Sequence, residues 1–275
     1  MIIDIHTHIF PPDVRDRCEE YLRRDPTFAE MYGNPRAEVA TAEELLRSMD
    51  QASVDVSVAL GFAWRDHEDC LRHNDYLLAA AARSGGRIVP FCTANLAAGE
   101  AAAAEVERCA GGGARGLGEL RPESQGWSLD GVAGDLLADL ARRHGLVLLF
   151  HVTEPEGRDY PGKQGLSLDS FQRFLARAQG VAVVGAHLAG GLPLRDAAPA
   201  SAYADTAALR FLHKPALLAG LAKTGWAERL LFGSDFPLVS QSAALADVRA
   251  GGLDGAALAR VLGENARGLL PPAGA

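Results

Sequence analysis

The chain has 275 residues, of which 48% are hydrophobic and 23% are charged, a composition that suits one large globular α/β domain. The formal net charge of −8 argues against a nucleic-acid surface, because phosphate binding favours a basic face. No apolar stretch approaches the ~20 residues that a membrane helix needs, and the first residues, MIIDIHTHIF, do not resemble a signal peptide. We therefore expect a cytoplasmic protein whose four cysteines are free thiols.

Eight short runs rich in β-branched and aliphatic residues predict parallel strands that are covered on both faces. Strands that alternate with helices favour βαβ units, and eight such units close most naturally into a (β/α)₈ TIM barrel. An open doubly wound sheet is the less favoured alternative, because no glycine-rich phosphate loop follows an early strand. The predicted strands are Ile2–His6, Val54–Leu60, Arg87–Thr93, Ala114–Leu120, Leu146–Val152, Val181–His187, Ala202–Thr206 and Arg229–Asp235.

Stretches of helical periodicity lie between these strands. Thr41 and Glu44 form the sequence pattern of a capping box at the start of one of them, and Asn74 is interpreted as part of a helix start. The predicted helices include Thr41–Gln51, His73–Ser84, Leu129–His144, Ser167–Gln179 and Ala256–Leu262.

A single barrel domain is expected over residues 1–270, followed by a short tail at residues 271–275. Two connections within this domain are long. Residues 11–40 contain prolines and aromatic residues and predict a cap or an inserted helix. Thr153–Gly165 contains glycine, proline and charged residues directly after the fifth strand. We expect it to lie over the C-terminal face, where barrels of this kind assemble their active sites.

Histidines and an aspartate follow the predicted strands at their C-terminal ends. Residues i and i+2 of a strand point to the same face, so His6 and His8 should both project into the mouth of the barrel. His151, His187 and Asp235 end the fifth, sixth and eighth predicted strands. Taken alone, each is more simply explained as a hydrogen-bonded buried histidine or a helix-capping aspartate. Together they predict a shared cation, because leaving so many polar groups buried and unpaired would be costly.

The chain resembles the amidohydrolase superfamily in the order of its motifs, which are D-I-H-T-H-I-F-P, G-L-G-E-L, H-V-T-E-P, A-H-L-A-G-G and L-F-G-S-D-F-P. The closest similarity is to the amidohydrolase-related branch, which also contains aromatic-acid decarboxylases. The resemblance extends from Asp4 to the vicinity of Gly263, and it is specific for the superfamily but not for the reaction. It implies that His6, His8, His151 and Asp235 bind the metal, and that His187 binds a second metal or the substrate.

Glu119 ends the fourth predicted strand. By the resemblance, many members with two metals carry a bridging carboxylated lysine at this position, and some carry a glutamate. Glu119 could therefore bridge two ions or orient a ligand histidine, and both roles remain open. The decarboxylases of the branch, again by the resemblance, use one metal and generally do not need this glutamate. Its presence favours hydrolysis.

The main prediction is a metal-dependent hydrolase that acts on an amide, lactone or ester bond of a small molecule. Mixed nitrogen and oxygen ligands favour one or two zinc ions, with manganese, iron and cobalt as alternatives. The metal would activate a water molecule, Asp235 would accept its proton, and His187 would help to polarise the carbonyl group. The alternatives are a metal-dependent non-oxidative decarboxylase of an aromatic or unsaturated carboxylic acid, and a catalytically inactive metal-binding barrel.

Three residues are candidates for contact with the substrate. Arg121 lies two residues beyond Glu119 and could bind a substrate carboxylate, or it could pair with Glu123. Tyr160 and Lys163 belong to the loop after the fifth strand and could line the mouth of the barrel, or they could be solvated loop residues. The expected partners are a small-molecule substrate and a second copy of the chain in a homodimer, with no nucleic acid and no membrane.

Overall fold

A computed structural model describes residues 1–154, 160–194 and 198–270, with every side chain in these ranges except that of Leu194. The predicted tail at residues 271–275, and residues 155–159 of the long loop after the fifth strand, lie outside the described residues. Eight parallel strands pair in sequence order, as the predicted barrel requires. They are β1 (Ile3–His8), β2 (Val56–Leu60), β3 (Ile88–Cys92), β4 (Gly116–Leu120), β5 (Val147–Phe150), β6 (Val183–Gly185), β7 (Ala202–Asp205) and β8 (Leu230–Leu231).

The segment that begins with β8 closes the barrel against β1. Ile5 N donates to Phe232 O at 2.8 Å, and Asp235 N donates to His6 O at 2.9 Å. The predicted eighth strand, Arg229–Asp235, is too long, because the paired part of β7 ends at Asp205 opposite Leu231. Beyond that point the segment keeps β1 as its strand partner. The (β/α)₈ TIM barrel predicted from the sequence is confirmed.

The helices lie outside the barrel, and the predicted ones are present with shifted ends. They are α1 (Pro12–Asp16), α2 (Cys18–Arg24), α3 (Pro26–Tyr32), α4 (Ala42–Ala52), α5 (His67–Arg83), α6 (Glu100–Gly111), α7 (Pro122–Gln125), α8 (Val132–His144), α9 (Leu168–Arg177), α10 (Ala186–Ala189), α11 (Leu209–Leu212), α12 (Leu217–Lys223), α13 (Gln241–Arg249), α14 (Gly255–Ala259) and α15 (Asn265–Leu269). None of these helices combines the length and the apolar character that a membrane crossing requires.

Side-chain caps explain two of the helix boundaries. The predicted capping box at the start of α4 is present, with Thr41 N donating to Glu44 Oε2 at 2.7 Å. Helix α5 begins earlier than predicted, because the Asp66 carboxylate accepts hydrogen bonds from two amides of its first turn. The interpretation of Asn74 as part of a helix start is wrong. Asn74 is buried within α5, where its amide bonds both the N–H and the C=O of Thr93.

Three buried clusters form the core. One fills the barrel interior with side chains such as Ile5 and Phe91, and the largest lies between the strands and the surrounding helices. The third includes residues of the segment 11–40, which forms the short helices α1, α2 and α3 and is termed the cap after its prediction from the sequence. Its aromatic side chains pack beside the end of β1, and its buried members are Phe10, Val14, Tyr21, Phe28, Phe62, Trp64 and Cys70. All four cysteines are free, as expected.

Candidate metal centre

The six residues predicted to surround a metal all lie at the C-terminal end of the barrel and are buried. His6 and His8 belong to β1, and Glu119 belongs to β4. His151 follows β5 directly, whereas His187 and Asp235 lie past the ends of β6 and β8. The exposed fraction is below a tenth for every one of them. The barrel therefore brings residues that are far apart in sequence together in buried positions at its C-terminal end.

His6, His8 and Asp235 form the tighter of two groups of potential metal-ligand atoms. His6 Nε2 lies 3.1 Å from His8 Nε2, and Asp235 Oδ1 lies 3.5 Å and 3.4 Å from these two nitrogens. The second group consists of His6, Glu119 and His187, and in each group the ligand atoms all lie within 4.8 Å of one another. Because His6 belongs to both groups, the five residues form one cluster.

His151 lies beside this cluster but turns towards Glu119. Its Nδ1 is 3.0 Å from Glu119 Oε1, and its Nε2 is 3.3 Å from the carbonyl oxygen of Lys163. The Glu119 carboxylate also lies 3.6 Å from His187 Nε2 and 3.8 Å from His8 Nε2. His151 is thus outside both groups of potential ligand atoms among the described residues, and Glu119 contacts both parts of the cluster.

The donor atoms fit a divalent cation. The Asp205 carboxylate, which only accepts hydrogen bonds, lies 2.7 Å from His6 Nδ1, so this nitrogen carries a proton. The opposite nitrogen, His6 Nε2, then faces His8 Nε2 and Asp235 Oδ1. Each of these three atoms can offer a lone pair to a metal ion. Such a convergence of imidazole nitrogens and carboxylate oxygens requires a shared positive charge, and these ligand types suit zinc, manganese, iron or cobalt.

The pKa shifts in the cluster also show that its carboxylates favour a positive charge on their neighbours. Burial lowers the pKa of His6, but Asp205, Asp235 and Glu119 outweigh it and raise that pKa to about 10. Burial raises the pKa of Asp235, but the surrounding histidines, His8 first, lower it to about 2. Burial raises the pKa of Glu119, but His151, His187 and His6 together outweigh it and hold that pKa well below its usual value. Both carboxylates are therefore ionised at neutral pH.

His187 and Asp235 have left-handed backbone conformations, with φ of 57° and 68°. For a residue other than glycine this costs on the order of 1 kcal/mol. Two buried hydrogen bonds hold these conformations: His187 N donates to Asp205 Oδ1 at 2.8 Å, and Asp235 N donates to His6 O at 2.9 Å. The backbone thus bends at both residues where the chain turns away from the barrel.

Asp205 is the residue of this site that the sequence analysis misses. It ends β7, it is fully buried, and it contacts both His6 and His187. The rule that selects Asp235, a carboxylate at the end of a predicted strand, would also have selected Asp205. The seventh strand is short and rich in alanine, so the sequence predicts this strand and its end only weakly.

Arg121, Lys163 and Tyr160, the predicted substrate residues, lie around the same end of the barrel. Arg121 Nη2 donates to Gly162 O and Gln164 O, at 2.6 Å each, and the described residues include no ion pair between Arg121 and Glu123. Lys163 is buried, with its carbonyl oxygen against His151. Tyr160 is half-buried, and its pKa is raised to about 12 by burial and by nearby carboxylates.

The fold and this cluster define a (β/α)₈ barrel with a candidate metal centre at the C-terminal ends of its strands. The chain belongs to the amidohydrolase family, whose model matches residues 3–271. The family predicted from the sequence motifs is therefore confirmed. No curated protein sequence matches the chain.

Solved structures share the fold over nearly the whole chain. The 5-carboxyvanillate decarboxylase from Sphingomonas paucimobilis has a TM-score of 0.80 at 17% identity, with 98% of each chain covered. The 2,6-dihydroxybenzoate decarboxylase from Rhizobium has a TM-score of 0.74 at 16% identity, again with 98% of each chain covered. A dihydroxybenzoic acid decarboxylase from Polaromonas, solved with manganese and an inhibitor, has a TM-score of 0.73 at 15% identity, covering 98% of this chain and 96% of that one. At these identities the similarity shows the fold.

Proposed function

We propose that the protein is a metal-dependent non-oxidative decarboxylase of a small aromatic or unsaturated carboxylic acid. This proposal reverses the order of preference that the sequence suggests, in which hydrolysis comes first. The similar solved structures named as decarboxylases support it. Within the chain, the observation that carries it is a buried arginine beside the candidate metal centre.

Arg121 has the properties of a carboxylate-binding residue. Its side chain is only 1% exposed, and its Nη1 has no hydrogen-bond partner among the described residues. A methyl group added to Gly165 would lie 2.9 Å from His151 Cδ2 and 3.8 Å from Arg121 Nη2, so the guanidinium group is close to His151, which itself contacts Glu119 of the cluster. A buried cation without an anionic partner is unfavourable. A substrate carboxylate would supply both the charge and the missing acceptor.

His6, His8 and Asp235 would hold the metal, which when bound supplies positive charge for the oxygen atoms of the substrate. Decarboxylation breaks the bond between a substrate carbon and its carboxylate carbon, and the electron pair stays on the substrate carbon. That carbon must then take up a proton. Burial lowers the pKa of His187, but Glu119 and Asp235 outweigh it and raise that pKa, so His187 can hold the proton to be transferred.

The position of Glu119 favours hydrolysis as the second candidate function. Its carboxylate lies 3.0 to 3.8 Å from nitrogens of His151, His187 and His8, a placement that would allow it to bridge two ions. Two metals per chain would support hydrolysis of an amide, lactone or ester bond. One metal per chain would support decarboxylation. Zinc remains the metal that the sequence favours, and the manganese in the Polaromonas structure makes manganese the second metal to test.

The test is to load the protein with manganese or zinc and to measure two activities and the metal content. We expect carbon dioxide release from at least one member of a panel of hydroxybenzoates and related unsaturated acids, with one metal per chain. Hydrolysis of esters, lactones or amides without carbon dioxide release, at two metals per chain, would overturn the proposal in favour of the second candidate.

Replacing Arg121 tests the observation on which the proposal rests. We expect Arg121→Gln to lower kcat/KM for the carboxylated substrate by roughly 100-fold, mainly through KM, because a charge-assisted hydrogen bond is lost. Arg173→Gln, in an exposed residue of α9 paired with Asp130, is the matched control and should leave kcat/KM unchanged. An equal and small effect of both substitutions would contradict a role of Arg121 in substrate binding.

A further inference from the structure

Asp205 connects the two histidines at the centre of the candidate metal site. Its two carboxylate oxygens have separate partners. Oδ2 accepts a hydrogen bond from His6 Nδ1 at 2.7 Å, whereas Oδ1 accepts from the backbone amides of His187 at 2.8 Å and Ala207 at 3.0 Å. The side chain is fully buried, so water does not compete for either oxygen. One carboxylate from β7 thus contacts β1 and the turn after β6.

The Oδ2 contact determines which nitrogen of His6 faces the cluster as a ligand. Imidazole can bind a metal only through a nitrogen that carries no proton. Because the carboxylate requires a proton on Nδ1, the nitrogen left for the metal is Nε2, the atom that lies 3.1 Å from His8 Nε2. A carboxylate on the far nitrogen also increases the basicity of the ligand nitrogen.

The Oδ1 contacts determine the position of His187. This residue has φ of 57° and ψ of 53°, and the two residues after it also have positive φ. The amides of His187 and Ala207 approach the same oxygen, which fixes the turn after β6 against the turn after β7. The ring then donates from Nδ1 to Ala207 O at 3.3 Å and presents Nε2 to Glu119.

We propose that Asp205 is a positioning residue for both histidines. Through Oδ2 it keeps the proton of His6 on Nδ1, and through Oδ1 it holds the strained backbone of His187. Both Nε2 atoms thereby point into the cluster. This inference rests on the metal centre of the proposed function, but it holds for either reaction.

Asp205→Asn separates the two contacts. The amide oxygen must stay with the two backbone N–H donors, because the alternative orientation would place an NH₂ group against both. The NH₂ group then faces His6 Nδ1 and donates to it, so the proton of a neutral His6 moves to Nε2. The substitution keeps the shape of the side chain and the backbone contacts and reverses the hydrogen bond to His6.

The first measurement is zinc affinity by competition titration. We expect Asp205→Asn to weaken zinc binding by roughly 10- to 100-fold, the usual effect of losing a carboxylate behind a ligand histidine. Asp205→Ala, which also loses the backbone contacts, should weaken it at least as much. Asp25→Asn is the matched control, because Asp25 is buried and accepts hydrogen bonds from the backbone amides of Phe28 in the cap and Arg65 after β2. It should leave zinc affinity unchanged.

The second measurement is the proton NMR resonance of His6 Nδ1–H, assigned by ¹⁵N labelling of histidine. A proton shared with a buried carboxylate should give a low-field resonance in the unsubstituted protein, with or without zinc, and this resonance should be lost in Asp205→Asn. Its absence from the unsubstituted protein would overturn the inference, even if neither variant folds. So would a zinc affinity of Asp205→Asn equal to that of the unsubstituted protein. A protein that shows the resonance but binds no metal would contradict the proposed function and leave the role of Asp205 towards the His6 proton standing.

Discussion

His73 is a buried histidine outside the metal cluster whose hydrogen bonds all require its neutral form. Its Nε2 donates to Ile9 O at 2.7 Å. Its Nδ1 accepts from Phe62 N at 3.2 Å and from Trp64 Nε1 at 3.0 Å. A second proton, on Nδ1, would face these two donors. Burial is the largest cause that lowers the pKa of His73 to about 4.

This environment predicts that His73 makes the protein less stable in acid. Between pH 6.5 and pH 4 the unfolded chain binds a proton at this residue and the folded chain does not. The free energy of unfolding therefore falls as the pH decreases through this window. Relative to pH 8, the loss at pH 5 should be about 2 kcal/mol, measured by urea unfolding.

His73→Gln isolates this contribution, because Gln keeps one donor and one acceptor but does not titrate. Other histidines titrate in both proteins, so their contribution cancels in the comparison. The stability difference between the two proteins should be smaller at pH 5 than at pH 8 by about 2 kcal/mol. A difference that does not change with pH would contradict the assignment to His73.

Five of the six residues predicted to surround a metal come together in the cluster, whereas the sixth, His151, lies outside both groups of potential ligand atoms and contacts Glu119. His6, His8, His187 and Asp235 follow apolar runs, so their common end of the barrel follows from topology alone. The Nη2 group of Arg121 donates to two backbone carbonyls of the loop after β5, and this loop approaches Arg121 only in the fold. Backbone partners leave no sequence pattern, so the sequence could not exclude a pair of Arg121 with Glu123. The helix start predicted at Asn74 is wrong for a different reason, because the cap that begins α5 is Asp66.

At the scale of elements, the cap depends on one aromatic residue of α3. Phe28 is fully buried, and its ring centroid lies 4.7 Å from that of Tyr32, 5.2 Å from that of Trp64 and 5.9 Å from that of Phe10. These contacts join the cap to the residues that follow β1 and β2. Helix α3 also supports the loop after β5, since Glu30 Oε1 accepts from Gly162 N at 2.8 Å.

We expect Phe28→Ala to lower the free energy of unfolding by about 3 to 5 kcal/mol, because it leaves a large cavity in this cluster. The exposed Phe211 of α11, at 54% exposure, provides the control, and Phe211→Ala should change the stability by less than about 0.5 kcal/mol. Urea unfolding measures both, and limited proteolysis within residues 11–40 reports whether the cap opens first. Equal stability losses for the two alanine variants would show that the cap contributes little to folding.

The ends of the elements were harder to predict than the elements themselves. Periodicity located all eight strands, but it extended the sixth through His187 and the eighth through Asp235. The positive φ of His187 turns the chain away from the barrel soon after β6, and β8 ends at Leu231 because its pairing with β7 ends there. Neither change alters the apolar pattern of the sequence. The cap could be predicted only as a cap or an inserted helix, whereas it consists of three short helices, two of which begin with proline.

At the scale of the whole molecule, the barrel was predictable because its signal is repeated. Each run of β-branched residues is weak evidence, but eight of them alternating with helices leave few other arrangements. No repeated pattern in the sequence indicates which reaction the protein catalyses. The same donor residues support several reactions on one fold. Arg121 and Glu119, the residues that we propose distinguish these reactions here, each have two interpretations in the sequence.

A bound metal would join parts of the barrel that are distant in sequence. The potential ligands lie on β1, on β4, and on the segments after β6 and β8. Unfolding would separate all of them, so a metal held by these residues would bind the folded chain far more tightly than the unfolded one. Free metal at 100 times its dissociation constant should add about 2.7 kcal/mol to the free energy of unfolding. For a chain of this size, that raises Tm by roughly 5 °C.

The measurement is thermal unfolding after chelation and again after addition of zinc or manganese. Asp235→Ala removes one carboxylate from the tighter group of ligands and should abolish most of the shift, while Asp25→Asn should retain it. The surrounding histidines lower the pKa of Asp235, and its carboxylate helps to raise the pKa of His6, so the ionised Asp235 side chain also stabilises the metal-free fold. We therefore expect metal-free Asp235→Ala to unfold more easily than the metal-free parent, and the shift caused by the metal is compared within each protein. If zinc and manganese raise Tm equally in the parent and in Asp235→Ala, the stabilising ion is bound elsewhere.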